Sequence, residues 1–240
     1  MPELAKPLGC KAYGSIPHLL GSKRGDSDHG VGEGQHRICT ERVRDSHDRV
    51  IVQVKLDGAN VAVAKVHGVI CPLTRSGYLA GTSKYEHHHL FADYVRDRLL
   101  LFSQLLHDDE WISGEWLALA HGTRYDLHHC SPFVAFDLFE RLGGKRVQAS
   151  HERLRERAGA LTLAPTIHVG GALSIAEAMR RVNARLYGEL DDPEGAVWRV
   201  ERDGKVDFMA KYVRPEKANG CYLPEVSGGE PVWNWRRGDA

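Results

Sequence analysis

The sequence predicts an α+β fold with largely antiparallel sheets flanked by helices. Short β-branched runs come in neighbouring pairs joined by tight-turn residues: Asn60–Val66 with Val69–Leu73 around His67-Gly68, and Gly195–Glu201 with Val206–Val213 around Asp203-Gly204. The helical periodicities stand apart from one another and do not follow each strand, so the chain lacks the regular βαβ alternation of a parallel sheet. The 240 residues are 42% hydrophobic and 27% charged, enough apolar material for a core in one or two domains.

Taken in order, residues 9–49 are the least regular. Gly21 to Gly30 and Gly32-Glu33-Gly34 are turn chemistry, and the charges from Arg37 to Arg49 alternate in sign. A loop of this length is expected to be functional or disordered. Val50–Val54 is a short β-branched strand. Leu90, Phe91, Tyr94, Val95, Leu99, Phe102, Leu105 and Leu106 recur at helical spacing and predict one helix over Tyr85–Leu106. Glu110–Leu117 and Phe133–Phe139 read as buried strands. Ser150 caps a short charged helix through Ala158, and the capping box Ser174-Ile175-Ala176-Glu177 opens a helix to about Tyr187, before a break at Asp192-Pro193.

Lys plus Arg and Asp plus Glu are 32 each, and no charged tail exists. That excludes a binder whose affinity comes from bulk positive charge, while leaving room for a local basic groove. No run of about 18 apolar residues is present, so no membrane association is expected. Met1-Pro2-Glu3-Leu4 lacks the layout of a signal peptide. Cys10, Cys39, Cys71, Cys130 and Cys221 are odd in number, scattered and without a CxxC pair, which fits reduced thiols and a cytoplasmic location.

The chemistry concentrates at a few positions. Lys55-Leu56-Asp57-Gly58-Ala59-Asn60 ends a strand with a lysine that could serve as a nucleophile, provided burial or a neighbouring cation makes the amine neutral. Gly58 permits a tight turn or the close approach of a ligand. On its own such a segment reads most simply as a solvated hairpin. Arg75 follows across a hairpin. Ser113-Gly114-Glu115-Trp116 sets a carboxylate within an apolar run, and Phe133-Val134-Ala135-Phe136-Asp137 offers aromatics on a buried strand. Pro193-Glu194-Gly195-Ala196-Val197 adds a carboxylate at a strand mouth. Val206 to Lys211 places a lysine deep in the last strand, where one is not expected without a partner.

In that order these segments resemble the motifs of the covalent nucleotidyltransferases, the polynucleotide ligases and RNA capping enzymes. Asn60, Arg75 and the Gly-Glu-Trp form resemble the RNA ligase 2 type most. Tyr13–His18 and Gly122–Tyr125 are similar to segments of bacterial RNA-ligase-family proteins. The resemblance spans residues 55–211 and implies a nucleotidyltransferase (ATP-grasp-like) fold and an ATP-dependent RNA ligase. It implies that Lys55 attacks the α-phosphorus of ATP to form lysyl-AMP. Asp57, Gly58 and Asn60 lie at the nucleotide with it, Glu115 contacts the ribose, and Phe136 stacks on adenine. Arg75 lies near the sugar or the phosphate of the RNA end. Glu194 holds Mg²⁺ or Mn²⁺, directly or through water, and Lys211 contacts the α-phosphate. The implied partner is RNA with 5′-phosphate and 3′-hydroxyl ends, as in RNA repair, with room for an end-processing kinase or phosphatase. Such an enzyme is expected to hold RNA lacking a 5′-phosphate weakly and with strong salt dependence.

The last motif usually reads Lys-x-Lys, and here Met209 stands first if Lys211 is second; in the other register Val213 takes the second place, with Arg214 beside it. Only 29 residues follow Lys211, too few for an oligonucleotide-binding barrel, so 1–240 is expected to be one catalytic domain with 9–49 as an accessory segment. Trp233 and Trp235 are expected to pack. A GTP-using capping-type transferase, a DNA ligase and a non-catalytic nucleotide- or RNA-binding module are the alternatives. His87-His88-His89 and His128-His129 match no zinc spacing, and neighbours on a helix point apart; Cys130 and Cys221 read no more strongly as ligands. Arg141, Lys145 and Arg146 read equally as a phosphate patch or a solvated face.

Overall fold

A computed structural model describes residues 6–238 of the chain; Met1–Leu4 lie outside them. The elements run α1 (Glu33–Thr40), β1 (Asp48–Lys55), β2 (Ala59–Val66), β3 (Val69–Thr74), α2 (Glu86–Asp97), α3 (Leu99–Leu105), β4 (Glu110–Trp116), β5 (Phe133–Leu142), β6 (Lys145–Gln148), α4 (His151–Arg157), β7 (Thr166–Gly170), α5 (Ile175–Val182), β8 (Gly195–Arg202), β9 (Lys205–Val213) and α6 (Pro224–Ser227). They form two antiparallel sheets, ordered β7-β1-β8-β9 and β3-β2-β4-β5-β6. The chain crosses from one sheet to the other in three residues, Leu56 to Gly58, between β1 and β2.

The local signals explain most elements. His67 and Gly68 both have positive φ, as do Asp203 and Gly204, the geometry that matches a two-residue turn to the twist of its strands. The Ser150 hydroxyl accepts the Arg153 N–H, and Ser174 accepts from Glu177, capping α4 and α5. The predicted helix 85–106 is two helices. Arg98 leaves helical geometry (φ −118°, ψ 27°) and its guanidinium folds back 3.9 Å from the centre of the Tyr94 ring. Helix α5 stops at Val182 and does not reach Tyr187, because Arg185 is left-handed (φ 53°). Strands β6 and β7 are short additions that the pattern did not announce.

Residues 9–49 are less irregular than predicted. They contain α1, and Leu8, Ala12 and Tyr13 pack with Trp111 and Phe139 on the cavity-facing side of the five-stranded sheet. Residues 17–19 run parallel beside β9: the Leu19 N–H donates to the Lys211 carbonyl (2.8 Å) and the Lys211 N–H to that of Pro17 (2.9 Å). At the other end of the chain, Trp235 packs edge-on to Trp116 with ring centres 5.5 Å apart, and the Asn234 amide donates to the Leu117 carbonyl (2.8 Å).

One buried polar cluster fastens the two sheets together. Arg199 of β8, 1% exposed, pairs with the fully buried Asp137 of β5 and donates to the carbonyls of Phe136 (3.1 Å) and Ala149 (3.2 Å). Asp137 also accepts from the Tyr13 hydroxyl (2.5 Å) and the Gln148 amide (2.7 Å). Burial, then the facing carboxylate, pushes the Tyr13 phenol well above its ordinary value, so it stays a donor. A buried pair of this kind tolerates loss of one member poorly, because a charge is left without compensation. Arg199→Met is expected to cost about 3–5 kcal/mol in urea unfolding, and Asp137→Leu added to it is expected to return part of that loss; equal costs for single and double variants would show that the pair does not act as a unit.

Candidate active site

Lys55 is the last residue of β1 and sits opposite Gly195 in the register with β8. Glu194 immediately precedes that glycine, so the pairing of β1 with β8 brings the two side chains together. The Lys55 ammonium forms an ion pair with Glu194, with side chains 22% and 13% exposed. Gly195 itself must be a glycine, since a Cβ there would collide with the Tyr212 carbonyl of β9.

The crossing loop then hands the chain to the second sheet. The Gly58 N–H donates to Glu115 Oε1 (3.0 Å), and a Cβ on Gly58 would lie 2.5 Å from the Trp116 carbonyl. Close approach of the loop to β4 is therefore what Gly58 provides. Asn60 pairs with Glu115 across β2 and β4. Its buried Oδ1 has no hydrogen-bond partner, an acceptor available to a ligand. Asp57 points elsewhere: its carboxylate accepts from the Gly122 N–H (3.0 Å) and the Thr123 hydroxyl (3.2 Å), and its own N–H donates to the Tyr125 hydroxyl (2.9 Å). The Gly122–Tyr125 segment thus clamps the lysine loop from behind. Lys217, which the sequence did not single out, supports that clamp by donating to Thr123 (2.6 Å).

A cavity of about 860 Å³ opens between the sheets, within the range of small-molecule sites. Lys55, Gly58, Asn60, Arg75, Glu115, Phe136 and Lys211 line it. Asp57 and Glu194 are not part of its lining; Glu194 is paired with the lining Lys55, and Asp57 is bonded behind it to Gly122. Phe136 owes its position to a bulge: Ser113 pairs with Asp137 and Gly114 with Ala135, which leaves Phe136 as the extra residue. Such a bulge re-aims a side chain. Gly114 allows it, since a Cβ would lie 2.6 Å from the Val134 carbonyl. Arg75 is steadied by donating to the Gly14 carbonyl (2.9 Å) and the Ser15 hydroxyl (3.1 Å).

Met209 and Lys211 alternate onto the same side of β9, and both line the cavity. The Met209 sulfur accepts from the Gln148 amide (3.1 Å) and belongs to the wall beneath Phe136. Lys211 therefore faces the cavity. Gln53, two residues before Lys55 and on the same strand face, is a further lining residue that the motifs did not flag. Its amide nitrogen is committed to the Ala164 carbonyl (3.2 Å). Arg141 and Arg146 do not join the site. Arg141 donates to the Leu8 carbonyl (2.8 Å), and Arg146 lies over the Phe139 ring.

The electrostatics invert one expectation. Burial pulls the Lys55 ammonium down, but the carboxylates of Glu194, Glu115 and Asp57 outweigh it and hold the lysine above its ordinary value. Without substrate the amine is charged. Lys211 is lowered, by burial and then by the Lys55 charge. Burial pushes Glu115 up to about 7, against the pull of Lys55. Among the described residues no three His, Cys, Asp or Glu side chains assemble a metal cage. Glu194 alone fits an ion that takes most of its shell from water and substrate phosphates, as Mg²⁺ does.

The raised Glu115 carboxyl makes stability depend on pH. The folded chain keeps this proton to about 7, whereas the unfolded chain loses it near 4.5, so ionisation costs stability as pH rises between the two values. Glu115→Gln is expected to melt above the wild type at pH 8, by at least about 1 kcal/mol, and to match it near pH 4. Equal melting temperatures at pH 8 would show that the carboxylate is not held up.

The family model for RNA ligase matches residues 48–213, from the first residue of β1 to the last of β9. Among solved structures, an archaeal ATP-dependent RNA ligase in form 1 matches at 20% identity and TM-score 0.52, covering 84% of this chain and 48% of its own. Form 2 matches at 19% identity and TM-score 0.50, again covering 84% and 48%. The chain spans about half the length of these structures, and at such identities the likeness is one of fold. No curated protein matches the chain. With two-sheet architecture, ordered motifs and family match all covering the same stretch, the chain belongs to the RNA ligase family.

Proposed function

We propose that the protein is an ATP-dependent RNA ligase that joins 5′-phosphate to 3′-hydroxyl RNA ends through lysyl-AMP and an AMP-capped RNA. The observation that carries this reading is the convergence of Lys55, Lys211, Glu115 and Phe136 on one cavity at the crossing between the sheets. Membership of the RNA ligase family supports it.

In this reading Lys55 leaves Glu194, gives its ammonium proton to solvent, and attacks the α-phosphorus of ATP with Nζ. The N–P bond forms, the bond from phosphorus to the pyrophosphate oxygen breaks, and pyrophosphate departs with the electron pair. Lys211 meets the negative charge that builds on the α-phosphate, and its own charge opposes a second ammonium at Lys55. Phe136 stacks on the base, which is worth about 1–3 kcal/mol. The Glu115 carboxyl and the unpartnered Asn60 Oδ1 meet the nucleoside. Glu194, freed from Lys55, would hold a divalent cation, Mg²⁺ or Mn²⁺, which when bound supplies positive charge against the triphosphate. An oxygen of the RNA 5′-phosphate then attacks the AMP phosphorus, and the N–P bond to Lys55 breaks. Finally the 3′-hydroxyl, losing its proton, attacks the RNA phosphorus and AMP leaves. Arg75, fixed against Gly14 and Ser15, meets the phosphate of the incoming end. RNA with such ends is the partner, prepared where necessary by an end-processing kinase or phosphatase as in RNA repair. Among the described residues no helix is long and apolar enough to cross a membrane.

End-labelled RNA carrying a 5′-phosphate and a 3′-hydroxyl, incubated with the protein and Mg²⁺ or Mn²⁺, is expected to be joined with ATP and not with GTP, and Lys211→Ala is expected to lower the rate at least tenfold. Covalent labelling from GTP and not from ATP, with no joining of strands, would favour a capping-type transferase. Joining of DNA ends in preference to RNA would favour a DNA ligase. Nucleotide binding without joining would favour a non-catalytic module.

A further inference from the structure

The cavity is lined by more than the motif residues. A cluster of rings from the start of α2 and from the residue before the Gly122 turn forms another part of its wall. Tyr85 is 39% exposed, and its ring lies 5.5 Å from that of His87 at an interplanar angle of 27°. The His88 ring is 4.2 Å from His87, and the His121 ring stands nearly perpendicular to His87 at 6.0 Å. His88 is fixed by its Nδ1 contact with the Ser83 hydroxyl (2.7 Å). His121 Nε2 is buried and has no hydrogen-bond partner. Lys84 reaches over Tyr85 with its ammonium 4.9 Å from the ring centre.

The charge of this wall differs from that of the lysine end. Burial holds His87 at about 3 and His88 at about 4, and lowers His121, so the imidazoles are neutral at pH 7. Glu225 lines the same end and disfavours a phosphate there. The wall therefore suits the uncharged parts of a nucleotide: a base with a π-face for Tyr85 and His88, and a polar edge or hydroxyl for His121. Lys84 supplies one cation at the rim for the adjoining phosphate.

We propose that this wall is a strand subsite, where the terminal nucleoside of the 3′-hydroxyl RNA strand stacks on Tyr85 and His88 and bonds to His121 Nε2. The proposal rests on the RNA ligase reading and adds to it the place where the acceptor strand is held. The face of an aromatic ring accepts every base, so the subsite holds an end without selecting its sequence, while a hydroxyl bonded to His121 would distinguish RNA from DNA.

The test uses the full chain and RNA already capped with AMP at its 5′ end, so that only the last joining step is measured. Tyr85→Ala is expected to raise the KM for the 3′-hydroxyl strand about tenfold or more, with the ratio of strand joining to Lys55 adenylylation falling in step. Tyr85→Phe, which keeps the ring, is expected to behave as wild type. His121→Ala is expected to reduce the preference for a ribose over a deoxyribose at the acceptor end. Tyr85→Ala with a wild-type KM for the strand, or Tyr85→Phe as defective as Tyr85→Ala, would overturn the proposal. A wild-type chain that forms no lysyl-AMP and joins no capped RNA would overturn the ligase reading itself, and this one with it.

Discussion

The half-buried pair of Lys55 and Glu194 is the constraint around which the site is arranged. Taking an ammonium into a cleft is costly, and here the cost is met by carboxylates, Glu194 in contact and Glu115 and Asp57 close by. The consequence is an amine held in its charged, non-nucleophilic form. The same register that pairs Lys55 with Gly195 decides that Glu194 faces the amine, so storage is a product of strand pairing and not of a separate loop. An amine held in this way does not react with chance electrophiles, and becomes available only when something else takes its carboxylate.

The geometry around that pair depends on two sheets keeping a fixed distance. Lys55 and Lys211 belong to one sheet, Glu115, Asn60 and Phe136 to the other, and the covalent link between them is three residues long. The Arg199–Asp137 pair bridges the same gap below Phe136, with Tyr13 bringing the N-terminal segment into the contact. Gly58 and Gly114 permit close backbone approaches on the side of the five-stranded sheet. A wider gap would separate the Phe136 ring from the lysines, so polar burial here serves alignment more than stability.

Much of this was legible in the sequence. The His67-Gly68 and Asp203-Gly204 turns, the paired strands they join and the two serine caps follow from local chemistry, and the ordered motifs pointed to Lys55, Glu115, Phe136 and Lys211, which share one cavity. The failures have physical reasons. Apolar spacing continues through Arg98, so periodicity alone could not place the break that its stacking on Tyr94 creates. A bulge changes pairing without changing composition, so the aim of Phe136 was invisible. Asp57 looked like a ligand-facing residue because its motif is, yet its carboxylate is taken by Gly122 and Thr123, 65 and 66 residues later. Arg199, an arginine in an apolar strand, is the sequence signal for a buried partner, whereas the bond of Tyr13 to Asp137 and the place of Gln53 in the cavity exist only once distant strands pair.

The central claim is that Lys55 is the residue that takes the nucleotide. Protein incubated with ATP and Mg²⁺, quenched in acid and digested can be mapped by mass spectrometry for an AMP-bearing peptide. The account predicts a single adduct on the peptide containing Lys55, lost in Lys55→Ala. An adduct on Lys211 or another residue, or one that survives Lys55→Ala, would contradict it.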